Sequence, residues 1–239
     1  MNKLNRILSL LRIYTNYYFK KTNCNYHPIR IWIELSSRCN LKCRFCVNKS
    51  LLPHQKGDMS LDLFIKIIDE IAGKVYDVNL FHRGEPLLNK NIVQMISYAD
   101  KNRIKTRIHT NATLLNKELD RSMILAGLDF ISFSFDGYTK EVYEGNRSGA
   151  MFDKSLQNII DFLKIKKQLK SKKPYTVIQV IQDRSEPPDK KLVEQRKKFL
   201  KNFKNLPLNR IVTRAPHNWG GLFEPGGIDK ENKKVTSCT

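Results

Sequence analysis

The chain has 239 residues, 41% of them apolar, which is enough for one α/β domain with a sizeable core. Its 43 basic residues outnumber 23 acidic ones for a net charge of +20, which favours anionic partners: nucleic acid, phosphorylated metabolites or acidic lipid headgroups. No run of about 18 apolar residues occurs, which excludes a spanning helix, and five cysteines, three of them crowded together, exclude a disulfide scaffold and point to a reducing, cytoplasmic compartment.

Residues 1–28 read as an appendage. Leu4, Ile7, Leu8, Leu11, Tyr14 and Tyr18 fall at helical spacing, with Asn5, Ser9, Arg12 and Asn16 opposite them. A basic amphipathic helix of this kind packs on its own domain, or lies on a partner or a membrane surface. The stretch "ILSLLRIY" is short, is broken by Arg12 and lacks a small-residue cleavage site, so it is not a secretory signal.

From residue 29 strands and helices alternate. The strands are "IRIWIEL", "DVNLFH", "IKTRIHT", "LDFISFSF", "YTVIQVIQ" and "NRIVTRA". The helices are "SLDLFIKIIDEIA", "KNIVQMISYADKN", "NKELDRSMILAG", "FDKSLQNIIDFLKIKKQL" and "DKKLVEQRKKFLKNF". Ser60 is the N-cap of the first of these helices, and Gly127 stops the third. The basic runs "KIKKQLKSKKP" and "QRKKFLKNFK" read as solvated helix faces. Strict alternation predicts an α/β fold with a parallel sheet and right-handed crossovers. The choice lies between an open doubly wound sheet and an open partial barrel, with residues 29–214 as the core. After residue 214 the rhythm stops, and residues 215–239, rich in Gly and Pro, read as a linker.

In either fold ligands gather at the C-terminal ends of the strands. The unusual polar residues collect there: the cysteine loop after strand 1, "HRGEP" after strand 2, "HTNAT" after strand 3, "SFSFDG" at strand 4 and "PHNWGG" after strand 6. Cys39, Cys43 and Cys46 follow C-x3-C-x2-C. This spacing lets a short loop aim three thiolates at a soft metal, zinc or iron–sulfur. A closed zinc site needs a fourth ligand, for which His54 is available. Three ligands on a four-iron cluster leave one iron open to a small chelating cofactor. A structural zinc does not account for the polar rim on the other strands.

The segments "ELSSRCNLKCRFC", "FHRGEPLLN" and "IHTNATLLNKELDRSMILAGLDFISFSFDG" closely resemble the radical S-adenosylmethionine (SAM) superfamily, in its SPASM/twitch-type branch. The resemblance covers residues 29 to 220 and implies a partial (β/α)6 TIM-like barrel preceded by an N-terminal helical extension. It implies that Cys39, Cys43 and Cys46 hold a 4Fe-4S cluster whose fourth iron chelates the amino and carboxylate groups of SAM. Reductive cleavage of SAM then yields a 5′-deoxyadenosyl radical that abstracts a substrate hydrogen, with a one-electron donor such as flavodoxin or ferredoxin.

Gly84, Glu85 and Pro86 match the segment that receives the SAM ammonium group. Arg83 departs from the commoner glycine, and its cation is placed to compete for Glu85. Thr110 and Ser134 match hydroxyls that bond the ribose or methionine part of SAM, and Arg147 matches an arginine for the SAM carboxylate. Phe45, just before the last cysteine, joins the cofactor-binding set. Asp136 either touches substrate or shapes the turn with Gly137, and Gln179 and Gln182 are candidates for the barrel interior.

His217 and Trp219 resemble the segment leaving the barrel. Cys238 resembles the first cysteine of an auxiliary-cluster domain that a truncated chain would lack. The implied outcomes are peptide maturation, or dehydrogenation or epimerisation of a sugar or alcohol. The substrate is then a peptide, a small molecule, or a lipid- or nucleotide-linked sugar, with peripheral membrane contact. An RNA- or nucleotide-modifying enzyme and a zinc-binding interaction protein are the alternatives. The chain shows no appended RNA-binding motif and no aromatic–basic stacking pattern, which argues against nucleic acid.

Overall fold

Three of the helices begin where a side chain caps them. In a computed structural model describing residues 3–182 and 189–215, helix α2 (Leu61–Ile71) starts at Ser60, whose hydroxyl accepts from the Leu63 N–H. Helix α4 (Lys117–Leu125) is capped by Asn116 and α7 (Lys190–Lys201) by Asp189 in the same way. Gly127 follows α4 with φ +95°, a left-handed conformation that L side chains resist. A Cβ there would also lie 2.5 Å from the Asp100 carboxyl carbon. Helices α1 (Lys3–Tyr18), α3 (Ile92–Lys101) and α6 (Phe152–Gln168) complete the predicted set. Helix α5 (Lys140–Asn146) is absent from the predicted set; it has only seven residues, too short for a periodic signal, and is held by the fully buried Tyr143.

The strands are β1 (Arg30–Trp32), β2 (Asp77–Asn79), β3 (Lys105–Thr110), β4 (Phe130–Ser134), β5 (Tyr175–Ile181) and β6 (Arg210–Arg214). They are all parallel and lie in the order β1-β2-β3-β4-β5-β6. A doubly wound sheet reverses its order at a switch point. This sheet never does, so the partial barrel is the fold.

The register assigns the two faces. Ile108 pairs with Ile131, and Thr110 with Phe133. Phe133 meets Phe162 of α6 edge-on at 5.3 Å, so these residues face the helical layer. The core lies between sheet and helices and includes Phe64, Ile68, Met95, Ile96, Met123 and Ile159, all fully buried. The alternate residues, among them Arg107, His109 and Phe130, face the barrel interior.

Helix α1 does not bury its apolar stripe. Leu4, Ile7, Leu8, Leu11, Tyr14 and Tyr18 are all exposed, Tyr18 by 68%. Arg6 ties it to the barrel, its guanidinium 4.1 Å from the Tyr76 ring centre. The expectation that this stripe packs on its own domain is therefore not met. His217, Trp219 and Cys238 lie outside the described residues.

Asp120 in α4 is buried, with Oδ1 unpartnered. Burial, aided by the Asp161 charge, pushes its carboxyl up to about 8. This lies above the roughly 3.9 of an unfolded Asp, so the folded state retains the proton and stability falls as pH rises from about 4 toward 8. Asp120→Asn should remove that slope. Urea midpoints of wild type and variant should diverge between about pH 5 and pH 8, with the variant the flatter.

Candidate functional site

The cysteine loop is held by backbone bonds to two other strand ends. Lys42 and Arg44 donate their N–H groups to the carbonyls of Ser148 and Asn146 at 3.0 and 2.9 Å. The Glu85 N–H donates to the Arg38 carbonyl at 2.8 Å. Arg38 in turn pairs with Asp58, and Asn48 bonds the Ser37 carbonyl at 2.7 Å. The three thiols are free of disulfides.

Each sulfur is met from a different strand end. Asn111 Nδ2, after β3, lies 3.9 Å from Cys39 Sγ. Arg147 Nη1, after α5, lies 3.9 Å from Cys43 Sγ. The Arg83 carbonyl, after β2, lies 4.0 Å from Cys46 Sγ, which also accepts from the Asn48 N–H at 3.4 Å. Burial raises the Cys39 thiol, and pushes that of Cys43 up to about 11 against the pull of Arg147. A bound metal reverses this, because a coordinating thiol is deprotonated outright.

Gly84 has a steric reason to be glycine. A Cβ there would lie 1.9 Å from the Ser36 carbonyl oxygen, so a side chain would push the cysteine loop away. Glu85 is buried, 2% exposed, and caps the short 3₁₀ turn Pro86–Leu88. Its Oε1 accepts from Thr110 Oγ1 at 2.8 Å and from the Leu87 N–H at 3.1 Å, and its Oε2 from the Asn111 N–H at 2.8 Å. Burial pushes its carboxyl up to about 6, and these three donors pull the other way. The Thr110 hydroxyl, expected to face the cofactor, donates its hydrogen bond to Glu85. Arg83 does not compete for Glu85: it pairs with Glu34 at 3.3 Å, and Glu34 also accepts from the backbone N–H groups of Arg83 and Gly84.

On the far side, Asp136 and Arg147 form an ion pair at 2.7 Å with both side chains buried. Asp136 also accepts from the Ile181 N–H at 3.0 Å, tying β4 to β5. Arg147 Nε is buried without a partner and stands beside the cysteine loop. Ser134 is half-buried at the end of β4, in register with the half-buried Gln179. Phe45 is half-buried, with the Arg44 guanidinium 5.4 Å from its ring centre. Inside the barrel, His109 stacks on Phe81 at 3.9 Å, and burial lowers its imidazole to about 4, so it is neutral near pH 7. Trp32 lies on this inner face and is 59% exposed.

Asn111 was not singled out from the sequence, although it lies within "HTNAT". Its side chain bonds Asn40 at 2.9 Å and reaches Cys39, and the next residue, Ala112, turns the chain at φ 63°. A non-glycine residue in this region costs about 1–2 kcal/mol. Such outliers cluster at functional sites. Glu34 was also missed: no local pattern shows that a strand glutamate will hold the Arg83–Gly84 turn.

The radical SAM superfamily profile matches residues 33–179, more than half of the chain, and the chain belongs to that superfamily. It is similar to the Fe-coproporphyrin III synthase of Methanosarcina barkeri, 28% identical over 134 residues, which covers 55% of this chain and 33% of that protein. It is also similar to the PqqA peptide cyclase of Rhodopseudomonas palustris, 32% identical over 111 residues, covering 46% and 29%. The matched part is thus a third or less of these relatives' lengths. Among solved structures it resembles Streptococcus suis SuiB bound to the precursor peptide SuiA, with a TM-score of 0.63, 18% identity, and coverage of 93% of this chain and 47% of that one. Native anSMEcpe with bound AdoMet gives 0.59, 20%, 80% and 52%.

Membership brings a 4Fe-4S cluster and SAM as cofactors. The donor set fits them: three thiols on one loop, each with a polar neighbour, and a buried arginine N–H left unpartnered beside them. Among the described residues no three His, Cys, Asp or Glu side chains, the Cys3His set with His54 included, gather around a single-ion position.

Glu85→Gln should destabilise the fold by about 1–3 kcal/mol, because its amide would set a donor against a buried N–H or hydroxyl donor. The urea midpoint should fall accordingly, with no change in the slope of unfolding free energy against urea.

Proposed function

We propose that the chain is a SAM-cleaving radical enzyme that abstracts hydrogen from a peptide. When bound, the cluster supplies one electron to SAM, giving methionine and the abstracting 5′-deoxyadenosyl radical. In this reading Cys39, Cys43 and Cys46 hold the cluster. The carbonyls of the Arg83–Gly84–Glu85 turn receive the SAM ammonium group. The Glu85 carboxylate acts behind them, fixing the turn through Thr110 and Asn111.

Arg147, held by Asp136, offers its free Nε–H to the SAM carboxylate. Phe45, Pro86 and Ser134 wall the cofactor, and the inner face from Trp32 to His109 receives the substrate. The observation that carries this reading is the convergence of Asn111, Arg147 and the Arg83 carbonyl, from three separate segments, on the three sulfurs. The peptide class rests on the 32% identity to a peptide cyclase. Sugar or alcohol oxidation would use the same radical.

Anaerobic reconstitution with iron and sulfide should give a brown protein that forms 5′-deoxyadenosine from SAM once reduced. Replacing Cys39, Cys43 and Cys46 together with alanine should abolish both properties. A colourless protein holding one zinc would overturn the reading. A short peptide encoded beside this chain should accelerate 5′-deoxyadenosine formation and change in mass.

We also propose that α1 rests on a membrane surface. Its exposed leucines and tyrosines form an apolar band, and Arg6, Arg12, Lys20 and Lys21 supply charge for anionic lipid. Among the described residues no helix is long and apolar enough to cross a membrane. Full-length protein should sediment with phosphatidylglycerol vesicles, and Leu8→Glu with Leu11→Glu should release it. Equal sedimentation of the variant would refute the contact.

A further inference from the structure

A second concentration of charge lies at the opposite edge of the sheet. Arg30, Asp77, Lys105, Phe130 and Tyr175 are the first residues of β1 to β5, and all five line one cavity of about 520 Å³. The register places them on one face: Arg30 beside Asp77, Asp77 beside Lys105, and Phe130 between Arg107 and Tyr175. Helix α1 adds Arg6, and the connections before β4 and β5 add Asp129, Lys172 and Lys173. The six-residue β3 separates this floor from the cofactor rim by roughly 16 Å, too far for one small ligand to serve both.

Six basic side chains here face two carboxylates, and both carboxylates are already committed. Arg30 grips Asp77 through two hydrogen bonds of 2.5 and 2.6 Å. Asp129 pairs with Lys173 at 2.7 Å and accepts from the Thr106 N–H at 3.1 Å. Arg6, Lys105, Arg107 and Lys172 have no ion-pair partner among the described residues.

Three of these four cations rest on aromatic faces. Arg6 and Lys105 lie 4.1 and 4.9 Å from the Tyr76 ring centre, and Arg107 lies 3.7 Å from that of Phe130. Arg107 Nε is buried with no hydrogen-bond partner. Uncompensated like charge raises the energy of the compact state, and a fold keeps such conflicts mainly where a ligand relieves them. A forked guanidinium, a lysine ammonium and an aromatic wall together suit a phosphate group.

We propose that this barrel-floor cavity binds a phosphate-bearing anion through Arg6, Lys105, Arg107 and Lys172. The phosphate comes from a soluble diphosphate or from a lipid headgroup. The site is independent of the cofactor rim.

The test is lysine acetylation of the full-length protein, read by mass spectrometry. It is run with inorganic pyrophosphate, with phosphatidylcholine vesicles, or with the same vesicles containing phosphatidic acid. Lys105 and Lys172 should be protected about tenfold, and Lys197 and Lys198 on the exposed face of α7 should not. Protection by pyrophosphate assigns a soluble ligand. Protection by the phosphatidic acid vesicles alone assigns a headgroup.

Protection by neither anion, or equal protection of all four lysines, overturns the site. Lys105→Gln with Arg107→Gln should also erase the rise in melting temperature that the effective anion gives wild type. Lys197→Gln with Lys198→Gln, equal in charge change, should retain it. Equal loss in both variants would mean diffuse charge rather than a site.

Discussion

One buried carboxylate organises the cofactor rim. Glu85 accepts three hydrogen bonds from two separate chain segments, and its own N–H holds the cysteine loop through the Arg38 carbonyl. A carboxylate can be buried only when its oxygens are satisfied, since an unpaired buried charge costs several kcal/mol. Glu85 therefore fixes the relative position of the loops after β1, β2 and β3. Gly84 permits that approach and Pro86 starts the turn that supplies the third donor. The cysteine loop, the Gly84–Glu85–Pro86 turn and Asn111 thus form one unit.

The Asp136–Arg147 pair plays the matching part on the other side. It joins β4 and β5 to the segment that clasps the cysteine loop through Asn146 and Ser148. Breaking such a buried pair from one side costs about 3–5 kcal/mol, because the remaining charge is stranded. Here the cost secures orientation. Arg147 is held with one nitrogen on Asp136, one near Cys43 and its Nε unpartnered. At the rim Arg38, Arg83 and Arg147 each pair with a carboxylate, whereas Arg6, Lys105, Arg107 and Lys172 at the floor have no ion-pair partner among the described residues.

Much of this was legible in the sequence because the signals are local. Strand and helix alternation follows from hydrophobic period, and every predicted strand is present, although β1 and β2 are shorter than their apolar runs. C-x3-C-x2-C marks its own loop. Ser60 and Gly127 act within a turn of their own helices. Helix α5 escaped because seven residues carry too little periodicity. Asp136 was left undecided because Asp-Gly is a common turn pair, and only the packing of Arg147 and Ile181 against it distinguishes the roles.

The sequence by itself determined the strand–helix rhythm, the three metal-binding thiols and the family resemblance, since each depends on residues close together in the chain. The tertiary structure alone decided three further matters. It chose the barrel over a doubly wound sheet, because strand order is a property of long-range pairing. It gave the Glu85 carboxylate to Thr110 and Asn111 and the Arg83 cation to Glu34, because burial and hydrogen-bond geometry select partners across about 25 to 50 positions of chain. And it gathered the first residues of five strands around one basic cavity, because a parallel sheet brings together at each edge residues that the sequence holds far apart.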